Sequence, residues 1–500
     1  MEYKSTRNAN IRFSASQVIA QGISEEGGLF VPTALPDVRE MLPRLANMEY
    51  QELAIEVFGL FLSDFSKTEI ENSVKSAYST NKFGSSEPVK LVPLTKCGQE
   101  KYLLELWHGP TCAFKDMALQ ILPYFLTMSL KKFSPGREAV ILVATSGDTG
   151  KAALEGFRDV PGTRVIVFYP QNGVSPMQKR QMATQEGKNV TVCAIKGNFD
   201  DAQTAVKKIF TDPDMKKVLD QHGIMFSSAN SINIGRLLPQ VVYYFYAYFK
   251  LCHAEKLTLG QPMNIVVPTG NFGNILAAYY AKRMGLPVKK FICASNANKV
   301  LTDFIRTGVY NRKREFYATA SPSMDILISS NLERLLYALS GDDSIAVSKW
   351  MEQLSATGSY DVGSVVRDRV QELFFGGFCG DQETEETIRE TWKKEGYLCD
   401  THTAVALNVY QQYMEETDDT STPTVVASTA SPYKFVDHVL GALEATGDAS
   451  EFENIARLEE ITGTPVPVQL KALKDKPVRF TDLIEKDQAA EYVLKALGRG

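Results

Sequence analysis

The chain is predicted to have an α/β fold, because short apolar runs alternate with longer helical stretches over most of its 500 residues. From about residue 96 the runs are apolar throughout and rich in β-branched residues: KYLLELW, EAVILVAT, TRVIVFYP, NVTVCAIK, MNIVVPT, VKKFICAS and TPTVVAST. Helical stretches such as MALQILPYFLTMSLKK and ILAAYYAKRM lie between them. Strands of this kind are typical of a mostly parallel sheet that helices cover on both faces.

Two regions depart from this pattern. Residues 1–95 combine helical patterning with polar connectors and the short strand LFVP, so we expect an N-terminal α+β segment. Residues 306–400 contain polar helices and few strand signals, and their acidic run DQETEETIRE is interpreted as a solvated helix face. A chain of 500 residues exceeds what one hydrophobic core usually serves, which predicts two or three domains.

Composition and charge argue against several classes of protein. A net charge of −5 without any basic run argues against a nucleic-acid partner. No stretch approaches the roughly 20 uninterrupted apolar residues that a membrane helix needs. The N-terminal residues resemble neither a signal peptide nor a transit peptide.

The cysteines indicate a reducing compartment. They are odd in number and never form a CxxC pair, which disfavours a disulfide framework and a zinc site: Cys97, Cys112, Cys193, Cys252, Cys293, Cys379 and Cys399. The five histidines are far apart in the sequence, and nothing in the pattern proposes a metal site. We therefore expect a cytoplasmic protein without a bound metal.

The first candidate loop is VATSGDTGKAA, residues 143–153, which follows an apolar strand and opens a helix. Ligands of open α/β sheets bind beyond the carboxyl ends of the strands, and the Ser146 and Thr149 hydroxyls would suit a carboxylate or a phosphate. A nucleotide P-loop is excluded, because Thr145 replaces its first glycine and Ala152 replaces its magnesium-binding hydroxyl. Taken alone, the loop is best interpreted as a polar helix N-cap.

The second candidate loop is VVPTGNFGNILAAYY, residues 266–280. Gly270 and Gly273 allow the backbone to curl so that its N–H groups converge just before a helix, and the positive end of that helix favours an anion. A cofactor phosphate is the natural occupant. The dinucleotide pattern GxGxxG is absent, and Gly-Asn pairs also form ordinary turns.

The third candidate loop is HGPTCAFKDMALQ, residues 108–120, in which Lys115 enters an apolar helix. A lysine between Phe114 and Met117 fits poorly on a solvated surface, and desolvation would lower its pKa from about 10.4 towards the neutral amine that a Schiff base requires. The alternative is a lysine that extends from an amphipathic helix into solvent. Spacing alone favours this alternative.

The three loops together favour a Schiff-base lysine over a solvent-exposed one, because they occur in the order found in a known family. The chain resembles the threonine synthases in four segments: HGPTCAFKD, ATSGDTGKAA, ANSINIGRLLPQ and PTGNFGN. It also resembles them in SEEGGLFVP, SMDILISSNLER, DTHTAVA and ASTASPYKF. The resemblance covers nearly the whole chain. It implies a pyridoxal-phosphate (PLP) enzyme of fold type II, with two open, mostly parallel sheets flanked by helices.

The resemblance also implies domain boundaries. Residues 1–95 would form the N-terminal segment of the family. Residues 96–260 would carry the PLP lysine and the smaller mobile α/β domain. Residues 261–500 would form the large α/β domain with the cofactor phosphate loop and the C-terminal helices.

The resemblance assigns roles to individual residues. Lys115 matches the lysine that forms a Schiff base with PLP and moves protons. The loop that binds the cofactor phosphate corresponds to Gly270, Asn271, Phe272, Gly273 and Asn274. Thr429 matches the hydroxyl residue at the pyridine nitrogen. Ser146 and Thr149 match the loop for the substrate carboxylate, and the site of the substrate phosphate corresponds to Asn230, Ser231, Asn233 and Arg236.

Asp148 departs from the commoner pattern of the fold. Many relatives have Asn at this position, beside the phenolic oxygen of the cofactor, and a carboxylate there would be repelled unless a proton is shared or the side chain turns away. The longer threonine synthases resemble this sequence in having SGDTG. Asp148 is therefore placed at the cofactor with its role left open.

The implied reaction converts O-phospho-L-homoserine and water into L-threonine and phosphate. One alternative is a serine or threonine dehydratase of the same fold, which needs no second phosphate pocket; Arg236 beside Ser231 argues against it. Another alternative is a non-catalytic relative that binds PLP, which the presence of Lys115 and Thr429 disfavours. Longer family members lean towards monomers, so we expect a monomer or a weak homodimer.

Overall fold

The strands and helices alternate along the chain as the apolar runs predict. The computed structural model describes residues 1–96, 100–445 and 450–498, so Cys97 lies outside the described residues. Its strands are β1 (Tyr3–Ser5), β2 (Phe30–Pro32), β3 (Lys90–Leu94), β4 (Lys101–Glu105), β5 (Glu138–Ala144), β6 (Thr163–Pro170), β7 (Val190–Ile195), β8 (Ile224–Ser227), β9 (Met263–Pro268), β10 (Val288–Ser295), β11 (Val309–Asn311), β12 (Ser359–Asp361), β13 (Phe374–Phe378), β14 (Thr424–Ser428) and β15 (Leu483–Ile484).

The helices are numbered in the same way. Those of the first half of the chain are α1 (Ala15–Gln21), α2 (Leu42–Leu45), α3 (Tyr50–Phe61), α4 (Lys67–Ala77), α5 (Thr80–Phe83), α6 (Asp116–Leu119), α7 (Leu122–Phe133), α8 (Asp148–Gly156), α9 (Pro176–Ala183), α10 (Phe199–Thr211), α11 (Pro213–Gln221), α12 (Ile234–Leu237) and α13 (Pro239–His253). Those of the second half are α14 (Gly273–Met284), α15 (Val300–Thr307), α16 (Leu332–Leu339), α17 (Ser344–Thr357), α18 (Gly363–Leu373), α19 (Asp381–Glu395), α20 (Thr401–Thr417), α21 (Val436–Ala442), α22 (Glu451–Thr462), α23 (Val468–Lys471) and α24 (Ala489–Ala496).

Two open sheets form the frame of the molecule. The large sheet has the order β13-β10-β9-β14-β4-β3, and all its pairs are parallel except β3–β4. The small sheet has the order β15-β7-β6-β5-β8 and is parallel throughout. Two antiparallel pairs, β1–β2 and β11–β12, lie outside these sheets. The predicted α/β class with mostly parallel sheets is confirmed.

Both sheets are buried on both faces, which explains why their strands lack polar alternation. In the small sheet, Ile141 and Val143 of β5 pack into the main hydrophobic core, whereas Val140 and Leu142 point to a second core that α10 and α24 help to form. The central strands of the large sheet divide their side chains between two cores in the same way. Successive side chains of a strand point to opposite faces, so a doubly covered strand has to be apolar at every position.

The N-terminal segment is part of the main core. The ring of Tyr50 in α3 lies 5.2 Å from the ring of Tyr246 in α13. Tyr78 donates a hydrogen bond of 2.6 Å to the carbonyl of Met117, two residues after Lys115. The segment therefore supports the helices behind the candidate lysine.

Sheet membership differs from the sequence-based domain boundaries at two places. β4 and the antiparallel β3 belong to the large sheet, although they precede the small one in the chain. At the other end, β15 pairs with β7, and Val493 and Leu497 pack into the core of the small sheet. An apolar run shows that a strand exists but not which sheet it joins, and β15 has only two residues. The division into three domains stays a proposal.

Candidate active site

One cavity lies at the carboxyl ends of strands from both sheets. The loops after β5 and β8 of the small sheet and after β9 and β14 of the large sheet supply its walls. Most residues predicted from the sequence line it: Lys115, Ser146, Asp148, Thr149, Asn230, Ser231, Arg236, Gly270, Asn271, Gly273, Asn274 and Thr429. The strand-end rule thus located the cavity correctly.

Lys115 is held beside the end of β14 by backbone pairing. The backbone N–H of Phe114 donates to the carbonyl of Thr429 at 2.8 Å, and Ala113 forms an antiparallel bridge with Ala430. The Asp116 carboxylate accepts hydrogen bonds from the backbone and the hydroxyl of Thr111, which closes the loop before α6. Lys115 and Thr429, 314 positions apart in the sequence, consequently share one wall of the cavity.

The electrostatic surroundings of Lys115 favour a reactive amine. The side chain is about nine-tenths buried, and its Nζ lies 4.6 Å from the centre of the Phe114 ring and 4.0 Å from Asp148 Oδ2. Burial lowers the pKa of Lys115 to about 8, although the Asp148 carboxylate opposes this shift. A substantial neutral fraction of the amine is therefore present near pH 8, as nucleophilic attack requires.

The loop after β9 has the conformation of an anion cup. Phe272 has φ 63°, and α14 begins at Gly273, so the first N–H groups of that helix have no backbone acceptor within it. The N–H of Ile275 donates instead to Asn274 Oδ1 at 3.0 Å. A side chain at Gly270 would approach the Ser323 carbonyl to 2.7 Å, which excludes larger residues there. The Phe272 side chain itself is buried against Phe374 and does not line the cavity. Its contribution to the cup is the backbone conformation.

Arg236 is a buried cation without a partner charge. Its side chain is 5% exposed, Nη1 donates to the Ala229 carbonyl at 2.9 Å, and Nε has no hydrogen-bond partner among the described residues. It forms no ion pair with any described carboxylate. Burial lowers the pKa of Arg236 to about 10, so the guanidinium stays charged at neutral pH. An unpaired buried cation that faces a cavity indicates a site for an anionic ligand.

Asn233 does not have the predicted role of a ligand to the substrate phosphate. Its Nδ2 donates to the carbonyls of Ile19 and Ser228 at 3.0 and 3.1 Å, and its Oδ1 accepts from the N–H of Gly235 at 2.9 Å. The residue is fully buried and does not line the cavity. We correct the assignment: the side chain caps α12 and ties it to the N-terminal segment, which leaves its amide no free group for a ligand.

Asp148 is surrounded by donors, so a carboxylate is tolerated at this position. Oδ1 accepts from Lys434 Nζ at 2.6 Å and from Gln178 Nε2 at 2.9 Å, and Oδ2 accepts from the Ser323 hydroxyl at 3.2 Å. Burial alone would raise the pKa of Asp148, but the Lys434 and Lys115 ammonium groups hold it well below its usual range. The carboxylate is ionised at neutral pH.

Sequence reasoning missed the partners of Asp148 and several further wall residues, among them His402. The imidazole Nδ1 of His402 lies 2.8 Å from Asp400, and its Nε2 accepts from the Ser323 N–H at 3.2 Å, which assigns a neutral tautomer with the proton on Nδ1. Lys434, Ser323 and His402 all lie in segments that carried the family resemblance. The signal was therefore present, but no motif gave these residues a role.

The donor set fits PLP. The N-terminus of α14 and the Asn271 side chain suit its phosphate, Lys115 offers an amine for its aldehyde, and Thr429 lies in the wall beside that lysine. The Asn274 side chain donates to the Pro268 carbonyl at 3.1 Å and accepts from the Ile275 N–H at 3.0 Å, so it supports the loop. PLP would have to be held at its aldehyde and at its phosphate, and this cavity offers a group for each. Within the described residues, no group of three His, Cys, Asp or Glu side chains is arranged to hold a metal ion.

Fold and cavity thus define a pyridoxal-phosphate-dependent enzyme, and comparison with known families agrees. The family model "Pyridoxal-phosphate dependent enzyme" matches residues 85–429. Two more specific models, "Threonine synthase N terminus" and "Threonine synthase, C-terminal", match residues 2–78 and 403–493. The chain belongs to the threonine synthase family. The predictions of this family and of PLP as the cofactor are confirmed.

Individual relatives support the same assignment. The threonine synthase of Eremothecium gossypii is 36% identical over 97% of this chain and 96% of its own length. Threonine synthase-like 1 of Macaca fascicularis is 39% identical over 86% of this chain, but the match spans only 58% of that longer protein. Among solved structures, a PLP-bound threonine synthase from Brucella melitensis superposes with a TM-score of 0.86, at 35% identity and over 99% of both chains.

Among the described residues, no helix is both long and apolar enough to cross a membrane.

Proposed function

We propose that this protein is a threonine synthase, which converts O-phospho-L-homoserine and water into L-threonine and phosphate. One observation carries the proposal: the cavity offers two separate places for anions beside one reactive lysine. The N-terminus of α14 suits the phosphate of the cofactor, and the buried, unpaired Arg236 suits the phosphate of a substrate. A substrate with its own phosphate would use both places.

Different residues of the cavity are assigned to different groups of the substrate and the cofactor. Ser146 and Thr149, at the N-terminus of α8, are assigned to the substrate carboxylate. The substrate phosphate, which leaves from Cγ, is assigned to Arg236, Ser231 and Asn230. The cofactor phosphate is assigned to the loop of Gly270, Asn271, Phe272, Gly273 and Asn274. Asp148 is assigned to the cofactor site beside the phenolic oxygen, and Thr429 is assigned to the ring nitrogen.

Lys115 is assigned the proton transfers. When bound, PLP supplies the electron sink that makes the substrate carbons acidic. The Lys115 amine would be free to act as a base once the substrate amine has replaced it on the cofactor, and it would then remove a proton from Cα and return it at the end of the reaction. Burial, which lowers the pKa of the free amine to about 8, suits it to this role. Departure of phosphate from Cγ also requires the loss of a Cβ proton. Cγ then takes up a proton, and water adds at Cβ. A positioned base of suitable pKa contributes about 10²–10⁴-fold to such a step.

A dehydratase is the less suitable alternative. Serine and threonine carry no phosphate, so their binding would leave the Arg236 guanidinium buried without an anion, which is energetically unfavourable. A non-catalytic PLP-binding relative would have no need for the second anion place. Cytoplasmic location and a monomer or weak homodimer stay predictions from the sequence, as does the lack of a nucleic-acid partner.

The decisive experiment is a product assay with purified protein. Incubation with O-phospho-L-homoserine should release phosphate and form threonine in equal amounts, whereas serine and threonine should yield no oxo acid. After borohydride reduction, mass analysis should locate the cofactor adduct on Lys115. Oxo acid from serine or threonine without phosphate release would favour the dehydratase, and an adduct on another lysine would refute the assignment of the site.

A further inference from the structure

Lys434 is a fully buried lysine that lies behind the cavity rather than in its wall. Its side chain is 1% exposed or less, and Nζ contacts Asp148 Oδ1 at 2.6 Å and the Thr111 carbonyl at 3.0 Å. Removing an ammonium group from water is costly unless a counter-charge compensates for it. Asp148 is the only carboxylate that forms an ion pair with Lys434 within the described part of the chain.

The two oxygens of Asp148 face opposite ways. Oδ1 receives Lys434 and Gln178, on the side away from the cavity. Oδ2 receives the Ser323 hydroxyl and lies 4.0 Å from Lys115 Nζ. The carboxylate therefore stands between two ammonium groups, one permanently buried and one at the centre of the proposed chemistry.

The charged groups that act on Lys115 come from three elements. Asp148 at the start of α8 raises its pKa, whereas Arg236 in α12 and Lys434 after β14 lower it. His402 in the same wall is a neutral imidazole by its hydrogen bonds. A lone carboxylate at Asp148 would overstabilise a proton on Lys115 and repel an anionic oxygen of the cofactor.

We propose that Lys434 is a positioning residue that neutralises Asp148, so that the pair acts as one uncharged unit and sets the pH range in which the Lys115 nitrogen holds a proton. The pair would take the place of the neutral amide that an asparagine supplies. Lys434 acts through Asp148 and does not line the cavity. The inference rests on the proposed function in one respect, that Lys115 carries the cofactor.

The test is a double-mutant cycle on the PLP-loaded protein, made of Asp148→Asn, Lys434→Met and the double variant. The visible absorbance of the bound cofactor, titrated against pH, reports the proton on the Lys115 nitrogen. Asp148→Asn leaves Lys434 uncompensated and should lower the apparent pKa by about one unit or more. Lys434→Met leaves the Asp148 carboxylate with Lys115 as its remaining cationic neighbour and should raise the apparent pKa. The double variant should return close to the wild-type value.

Stability provides the second readout and guards against variants that fold poorly. Either single variant should lower the melting temperature, since each breaks a buried ion pair, and the double variant should recover most of the loss. Lys151→Met is the matched control: Lys151 is also buried and pairs with Glu155, but it does not line the cavity. This control should lower the melting temperature without moving the absorbance titration.

The outcomes separate the inference from the proposed function. Single variants that shift the titration in the same direction, or a double variant that fails to restore it, would overturn the role of Lys434 even if threonine is produced. Opposite shifts that cancel in the double variant, in a protein that forms no threonine, would support the pair and refute the proposed function alone.

Discussion

The side-chain amide of Asn331 donates a hydrogen bond of 2.9 Å to the hydroxyl of Ser231. The same amide donates to the Asn271 carbonyl at 3.0 Å, so one side chain joins the loop proposed for the cofactor phosphate to the loop proposed for the substrate phosphate. Arg334, one turn further on, donates to the carbonyls of Ile232 and Phe30. The two anion places are therefore held in a fixed relation by α16 and the N-terminal segment.

Replacement of Asn331 with alanine should weaken both places together. The change removes the donor to Ser231 and one of two donors to the Asn271 carbonyl, which keeps the Asn331 backbone N–H at 3.1 Å. Each lost hydrogen bond costs about 1 kcal/mol, roughly fivefold in affinity. KM for phosphohomoserine and Kd for PLP should both rise, as measured by initial rates and by cofactor titration. Asn408→Ala, in α20 outside the cavity, serves as the control and should change neither. An increase in only one of the two constants would contradict the bridging role.

Replacement of Arg236 with alanine should separate the two phosphate places. Loss of a charge-assisted contact to the substrate phosphate costs about 2 kcal/mol, roughly 30-fold in kcat/KM. PLP should remain bound, as judged by its absorbance, because the cup at α14 is intact. Arg236→Lys, which keeps the charge, should lose less. If Arg236→Ala releases PLP and keeps its affinity for substrate, the two assignments are exchanged.

The reaction of the PLP-free chain with added PLP should depend on pH through Lys115. Only the neutral amine attacks an aldehyde, and burial lowers the pKa of this amine to about 8. Below that pH the rate should rise about tenfold per pH unit, and above it the rate should level off. Stopped-flow absorbance measures this rate. A midpoint near the ordinary lysine value, about 10.4, would show that the amine is not desolvated.

Replacement of Asn233 with alanine should reduce stability rather than remove a substrate contact. The change deletes the cap of α12 and leaves the buried carbonyls of Ile19 and Ser228 without their donor. We expect the free energy of unfolding to fall by about 2–4 kcal/mol, measured by denaturant titration. Asn47→Ala, at an exposed site, should cost less than about 0.5 kcal/mol. A large rise in KM with unchanged stability would restore the original assignment of Asn233.

The candidate site could be predicted where one short loop contains the relevant residues. Lys115 and the glycine cup at Gly270 and Gly273 each lie between an apolar strand and a helix. Their residue types are compatible with an amine and an anion site, and the resemblance of the ordered loops to a known family favours that interpretation over an exposed lysine and an ordinary turn. The strand-end rule then brings such loops together without knowledge of the sheet order. Twelve of the fourteen predicted site residues line one cavity, and the family resemblance supplied those, such as Thr429 and Arg236, that the strand-end rule did not single out.

Residues that act through distant partners could not be predicted in this way. Asp148 was an anomaly in the sequence because its counter-charge, Lys434, follows 286 positions later. Asn233 was assigned to a ligand because an asparagine in a polar loop suits a phosphate as well as it suits a helix cap. Only the position of the Ile19 carbonyl decides between these two uses of the same amide.

The sequence by itself determined the fold class, because this class depends on hydrophobic periodicity along the chain. The order of its short loops, which resembles that of a known family, predicted Lys115 as the reactive lysine and the loops proposed to carry the chemistry. Only the tertiary structure decided which strands share a sheet, that β15 completes the small sheet, and that Lys434 neutralises Asp148. Pairing of distant segments is fixed by the packing of the whole core and by the compensation of buried charges, and neither leaves a local pattern in the chain.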